Sequence, residues 1–155
     1  MEKKGIEFEK EYMRFWEEFG EGKKMVLSTS LDNIVTSRMM SVVAINGRLY
    51  FQTDCTFRKY RQLRANGNVA LCIDNIQIEG KSIEIGHPKD NIDFCNSYKA
   101  NYPSSFARYT SLENERLFVV APIFIEKWTY IDGIPYIEKF DIQNENYILQ
   151  RYCGV

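Results

Sequence analysis

The chain has 155 residues, enough for one domain with a respectable core and too few for two comfortable ones. Hydrophobic residues at 45% and charged residues at 26% are ordinary for a globular protein, and a net charge of −1 gives no bulk attraction for nucleic acid. No run approaches the roughly 18 apolar residues of a membrane span. The charged N-terminus opens an amphipathic pattern rather than a signal peptide, which points to a cytoplasmic protein.

Phe8, Tyr12, Phe15, Trp16 and Phe19 recur at helical spacing, so residues 5–19 are expected to form an amphipathic helix stopped by Gly20 and Gly22. Met25 to Leu31 reads as a strand, Asp32-Asn33 as a turn and Ile34 to Ile45 as a long strand. Asn46-Gly47 is the strongest hairpin signal, because a primed turn needs positive φ at both positions. It returns the chain into a strand over Arg48 to Thr53. Thr56 to Ala65 reads as a short helix capped by Thr56 and ended by Asn66-Gly67. Val69 to Asp74 and Gln77 to Ile85 follow as strands. Pro88 to about Tyr98 is expected to be helical, with a loop around Pro103. Leu117 to Tyr130, the Asp132-Gly133 turn and Ile134 to Phe140 make a last hairpin, and 141–155 is a tail without a clear pattern. Aromatics at 14% favour strands. The sum is a mainly β single domain over 1–155: an antiparallel barrel of six to seven strands joined by short turns, with inserted helices.

One stretch points to chemistry. Arg58 and Lys59 fall in the first turn of the predicted helix, where the dipole disfavours cations. An anion held between them and the free backbone N–H groups would reverse that, and phosphate is the obvious candidate. The plain alternative is a solvated helix face. Arg38 sits in an apolar strand and needs a partner, either an acidic neighbour in a salt bridge or a phosphate. Thr53, at a strand end, suits either a turn cap or a hydroxyl contact to phosphate.

Cys55, Cys72, Cys95 and Cys153 form no CxxC pair, and His87 is the only histidine. A metal site is therefore not expected, and the thiols are expected to be free. Nor is there any sign of Cys–His nucleophilic chemistry.

Ser37-Arg-Met-Met-Ser-Val-Val43, Leu49-Tyr-Phe-Gln-Thr53, Arg58-Lys59-Tyr-Arg-Gln-Leu and Asn66-Gly-Asn-Val-Ala-Leu71 resemble, in order and spacing, the FMN half of the pyridoxamine 5′-phosphate oxidase-like split barrels. The resemblance covers about residues 23–87 and returns at Pro122-Ile-Phe-Ile-Glu-Lys-Trp128. It implies an FMN-binding split barrel in which Arg38, Arg58 and Lys59 hold the phosphate. It places the strand Met39, Met40, Ser41, Val42 and Val43 along the isoalloxazine edge, and Gln52 and Thr53 in contact with FMN. Asn75 or Gln77 matches an amide that meets the flavin ring. Trp128 matches an aromatic that reaches FMN from a second subunit, which implies a homodimer with FMN at the interface; by itself Trp128 reads as core or interface packing.

The arginine–histidine pair with which the biosynthetic oxidase grips its substrate has no match after Trp128. The resemblance is therefore to the stress-protein-like and flavin-reductase-like members. It implies an FMN-dependent oxidoreductase, reduced by a nicotinamide cofactor or a reductase, with catalytic residues that the sequence does not name. The alternatives are a non-catalytic flavin-binding or redox-sensing protein, or a barrel that takes haem or a deazaflavin.

Overall fold

The computed structural model describes residues 2–154. Eight strands make one antiparallel sheet: β1 (Gly22–Leu31), β2 (Ile34–Ile45), β3 (Arg48–Asp54), β4 (Asn68–Ile73), β5 (Ile76–Glu84), β6 (Glu115–Ile131), β7 (Ile134–Asp141) and β8 (Asn146–Arg151). Their order is β3-β2-β1-β4-β5-β6-β7-β8, and a further β3–β6 pairing closes the first six into a barrel. The expected barrel is therefore present, with β7 and β8 extending from the second half of β6. Four α-helices join it: α1 (Glu2–Phe19), α2 (Arg58–Ala65), α3 (Ile92–Asn101) and α4 (Pro103–Tyr109). None of the described helices is long and apolar enough to cross a membrane.

The hairpins form where the turn residues allow positive φ. Asp32-Asn33, Asn46-Gly47 and Asp132-Gly133 all adopt it at both positions. Along β1 and β2, Met25, Leu27, Met40 and Val42 point into the barrel and are buried, as a two-residue period requires. Phe51 and Phe118 stack inside, with ring centroids 5.6 Å apart. The aromatic stripe of α1 packs on the same core around Phe140 and Tyr147.

Pro122 lies within β6, where a proline should break a ladder. A bulge at Ile123 of β6, opposite Glu79 and Gly80 of β5, shifts the register beside it, which is how a sheet accommodates a residue without an N–H. Gly80 itself is set tightly: a Cβ there would lie 2.6 Å from Val120 Cγ1 and 2.8 Å from the Ala121 carbonyl oxygen. Gly80→Ala is expected to lower stability by about 1–3 kcal/mol through overpacking, measured as a lower urea midpoint at unchanged slope.

Five expectations change. Thr56 does not cap α2, because its N–H and hydroxyl both bond Asp54 Oδ1, at 2.8 and 2.6 Å. The cap position falls to Phe57, which offers no side-chain bond. Gly67 does not end α2 in a left-handed conformation; Asn66 ends it in an extended one, and Gly67 is needed because a Cβ would come within 2.8 Å of the Ser82 carbonyl. The single helix expected from Pro88 is a short 3-10 turn over Pro88–Asp90, after which α3 starts at a new cap, Asn91, whose side chain accepts from Phe94 N at 2.9 Å. Pro103, expected in a loop, opens α4 at a position where its missing N–H costs nothing. The unpatterned tail contains β8, an edge strand with Ile148 and Leu149 exposed.

α3 covers the outside of the barrel. Phe94 and Tyr98 make a second apolar cluster with Val43 of β2 and Leu117 of β6, and the Tyr102 hydroxyl, just past α3, donates to the Val42 carbonyl at 2.8 Å.

Candidate functional site

The barrel is split where the sequence placed its chemistry. β2 and β3 pair only over Val43↔Tyr50, Ala44↔Leu49 and Ile45↔Arg48. Beyond that point β3 stays with β6 as far as Asp54↔Glu115, while β2 runs on beside β1. The edge of β2 that faced β3 is left without a strand partner. A cleft of about 420 Å³ opens in this split. Met39, Met40 and Ser41 line one side; Gln52, Thr53 and Asp54 line the other. Phe57 and Lys59 come from the start of α2. Tyr98, Ser105 and Tyr109 of the α3–α4 pair, with Leu112 and Glu115, complete the wall.

The floor is polar and only partly satisfied. Thr53 is 3% exposed, and its hydroxyl is buried without a hydrogen-bond partner. Gln52 is fixed by the Thr110 hydroxyl, which donates to its Oε1 at 3.0 Å. The Lys59 ammonium lies 3.3 Å from Met40 Sδ. Burial first, and the charge of Arg38 second, hold its pKa below the ordinary lysine value. Glu115 is 6% exposed and its Oε2 is likewise buried and unpartnered. Burial and the Asp54 carboxylate push its pKa up to about 7, against the opposing pull of Lys59 and His87.

Arg38 stands beside the cleft rather than in its lining. From β2 it points toward the barrel end beneath α2. It donates to the Leu27 carbonyl, the Thr29 and Thr36 hydroxyls and Gln62 Oε1, at 2.6–3.2 Å. Among the described residues, no carboxylate stands as the acidic partner of the salt-bridge alternative. Burial, then the neighbouring Arg58, hold its guanidinium below the ordinary arginine pKa. Arg58 is exposed and likewise outside the lining. Among the described residues, no ion pair joins Arg38, Arg58 or Lys59 to a carboxylate. Arg38 thus raises the cost of the Lys59 charge, and Glu115 offsets it only in part.

Val42 and Val43 bury their side chains, one inside the barrel and one under α3, so they offer the cleft backbone only. Asn75, Gln77 and Trp128 are not brought to the cleft within the chain. Asn75 Nδ2 donates to the Trp128 carbonyl, and Trp128 N donates back to the Asn75 carbonyl. Gln77 lies on β5 opposite Glu126. The Trp128 ring packs against Tyr130 and Tyr152.

His87 is structural: Nδ1 accepts from Lys89 N at 3.1 Å, which leaves Nε2 to donate to the Leu112 carbonyl at 2.8 Å. The cleft residues absent from the sequence reading are Asp54, Phe57, Tyr98, Ser105, Tyr109, Leu112 and Glu115. Tyr98, Ser105, Tyr109 and Leu112 come from the segment between β5 and β6, whose residues carry no motif, and Glu115 is the first residue of β6. The one available signal was Glu115, an acid at the threshold of an apolar strand.

Neither a family model nor a curated protein matches the sequence. Solved structures do match the fold. PhzG from Burkholderia lata 383, solved with tetrahydrophenazine-1-carboxylic acid, is 15% identical at a TM-score of 0.59, over 95% of this chain and 91% of its own. A pyridoxamine 5′-phosphate oxidase-related, FMN binding protein from Nostoc punctiforme is 13% identical at 0.56, over 84% and 87%. General Stress Protein 26 from Bacillus anthracis is 23% identical at 0.53, over 69% and 84%. The structural neighbours are thus pyridoxamine 5′-phosphate oxidase-like split barrels, the family whose motifs the sequence resembles. At these identities the likeness establishes the fold.

Proposed function

We propose that the chain binds FMN in the split between β2 and β3 and serves as an FMN-dependent oxidoreductase. The observation that carries this reading is the cleft's own pair of groups, Lys59 in no ion pair among the described residues and the buried, unpartnered Thr53 hydroxyl, with the charges of Arg38 and Arg58 close by. A phosphate group supplies what each lacks, since its oxygens accept from hydroxyl, ammonium and guanidinium alike. The FMN-binding neighbour from Nostoc punctiforme supports the same cofactor.

In this reading Lys59 and Thr53 contact the phosphate directly, and Arg58 closes over it from the exposed side. Arg38, held by Thr29, Thr36 and Gln62, contributes charge from behind. The unpaired edge of Met39–Ser41 offers backbone groups to the ring system, and Phe57, Tyr109 and Leu112 form an apolar rim that excludes water. Bound FMN supplies the hydride or electron chemistry; the protein supplies position and electrostatics.

The proposal includes a homodimer, in which Trp128 of one copy reaches the flavin of the other. A nicotinamide cofactor or a reductase acts as electron donor. Haem is the weaker reading, because both ring nitrogens of the only histidine are engaged.

The test is the visible spectrum of the protein mixed with FMN and freed of excess. Flavin bands that stay with the protein, and that bleach anaerobically with NADH or NADPH, are the expected result. A colourless protein after the same treatment contradicts the reading.

A further inference from the structure

Glu115 is a cleft group that the phosphate reading does not use. It opens β6, directly opposite Asp54 of β3, and lines the same cleft as Lys59 and Thr53. Its Oε2 and the Thr53 hydroxyl are two unpartnered polar atoms in side chains more than nine-tenths buried. The charged and titratable groups around it are Asp54 on β3, Lys59 on α2, His87 after β5, Tyr98 on α3, Tyr109 on α4 and its own neighbour Arg116. A carboxylate beside an anion site is a contradiction unless it is protonated when the anion is present.

We propose that Glu115 takes up a proton when an anionic group is seated against Lys59 and Thr53, and that its Oε2 then acts as a hydrogen-bond donor within the occupied cleft. The inference rests on the phosphate reading of that site and adds to it a residue that makes binding proton-linked.

The direction follows from the charges. In the free protein burial and Asp54 already bring Glu115 to about 7. An anion drawing on Lys59 removes the main opposing charge and adds a like one, so the value rises further on binding. Between the free and bound values, binding consumes a proton. Affinity therefore falls as pH rises through that window, by up to about tenfold per unit.

The probe is FMN itself, titrated calorimetrically into the full chain at pH 6.5, 7.5 and 8.5. At each pH, buffers of different ionisation enthalpy report the protons taken up. The second ionisation of a phosphate monoester, near 6, is about three-quarters complete at pH 6.5, and its completion above that shifts affinity by less than about twofold. The wild type is expected to bind at least about fivefold more weakly at pH 8.5 than at 6.5, with net proton uptake near pH 7.5. Glu115→Gln, which keeps the shape and the donor, is expected to show less than about a twofold change and no uptake. Riboflavin, which lacks the phosphate, is expected to bind without uptake.

A flat wild-type profile without uptake overturns the inference while leaving the flavin site standing. An unchanged profile in Glu115→Gln, or the same uptake with riboflavin, overturns it equally. The wild-type measurement stands alone if the variant does not fold. FMN that binds at no pH removes the inference together with the flavin reading.

Discussion

Replacing Arg58 and Lys59 together by alanine is expected to weaken FMN binding by about 2–4 kcal/mol, the scale of charge-assisted hydrogen bonds lost inside a partly dehydrated site. Lys59 carries the larger share. It lines the cleft, it is partly buried, and burial depresses its pKa despite the opposing pull of Glu115, so a bound anion stabilises its charge further. Arg58 is exposed and screened by solvent. The double variant should fold normally, since neither side chain belongs to an ion pair among the described residues. Arg38→Ala should differ in kind. It costs affinity, and it also removes the donor to the Leu27 carbonyl and to the Thr29 and Thr36 hydroxyls, so its urea midpoint should fall as well. Flavin fluorescence titration measures the first effect. An affinity unchanged in the double variant removes the phosphate assignment.

Phe140→Ala is expected to destabilise the fold by about 3–5 kcal/mol, the range for deleting a fully buried aromatic ring. Phe140 has no exposed surface, and its ring meets Phe8, Tyr12 and Phe15 of α1 and Tyr147 of β8, at centroid distances of 5.0–6.4 Å. It therefore ties the N-terminal helix to the strands added after the barrel. Against a typical stability of about 5–15 kcal/mol, a loss of this size moves the transition far toward low denaturant. Trp16, edge-on to Phe15 in the same cluster, gives the fluorescence signal to follow. A urea midpoint close to wild type would show that α1 is held by its other contacts.

Much of the barrel was legible because its signals are local. Positive-φ pairs such as Asn46-Gly47 and two-residue alternation each act within a few residues. The α1 stripe was legible for the same reason, since a 3.6-residue period needs no partner to be seen. The start of α2 was misread because Asp54, two residues upstream, accepts from both the N–H and the hydroxyl of Thr56 and so turns that hydroxyl away from the helix N–H groups it would cap. The α3–α4 segment was misread because Asn91 and Pro103 each carry two opposite local meanings, turn or helix start, and packing on Val43 and Leu117 decides between them. β8 is an edge strand with exposed apolar residues, so its pattern has no buried face to enforce it.

For the candidate site, Gln52, Thr53 and Lys59, which line the cleft, lie on consecutive elements, β3 and α2, and so were within reach of sequence. Glu115, Tyr98, Ser105 and Tyr109 were not, because only the closure of β3 on β6, across some sixty residues of chain, brings them to the cleft. Nor does sequence register place Asn75, Gln77 and Trp128, which pair with strand neighbours within the chain.

The most direct test of a flavin site in the split of the barrel is a paired equilibrium titration with FMN and riboflavin at pH 7, followed by quenching of flavin fluorescence. With Lys59, Arg58 and Thr53 at the phosphate, FMN should bind at least about a hundredfold more tightly than riboflavin, the equivalent of roughly two charge-assisted hydrogen bonds. Equal affinity for the two, or no quenching by either, would contradict it.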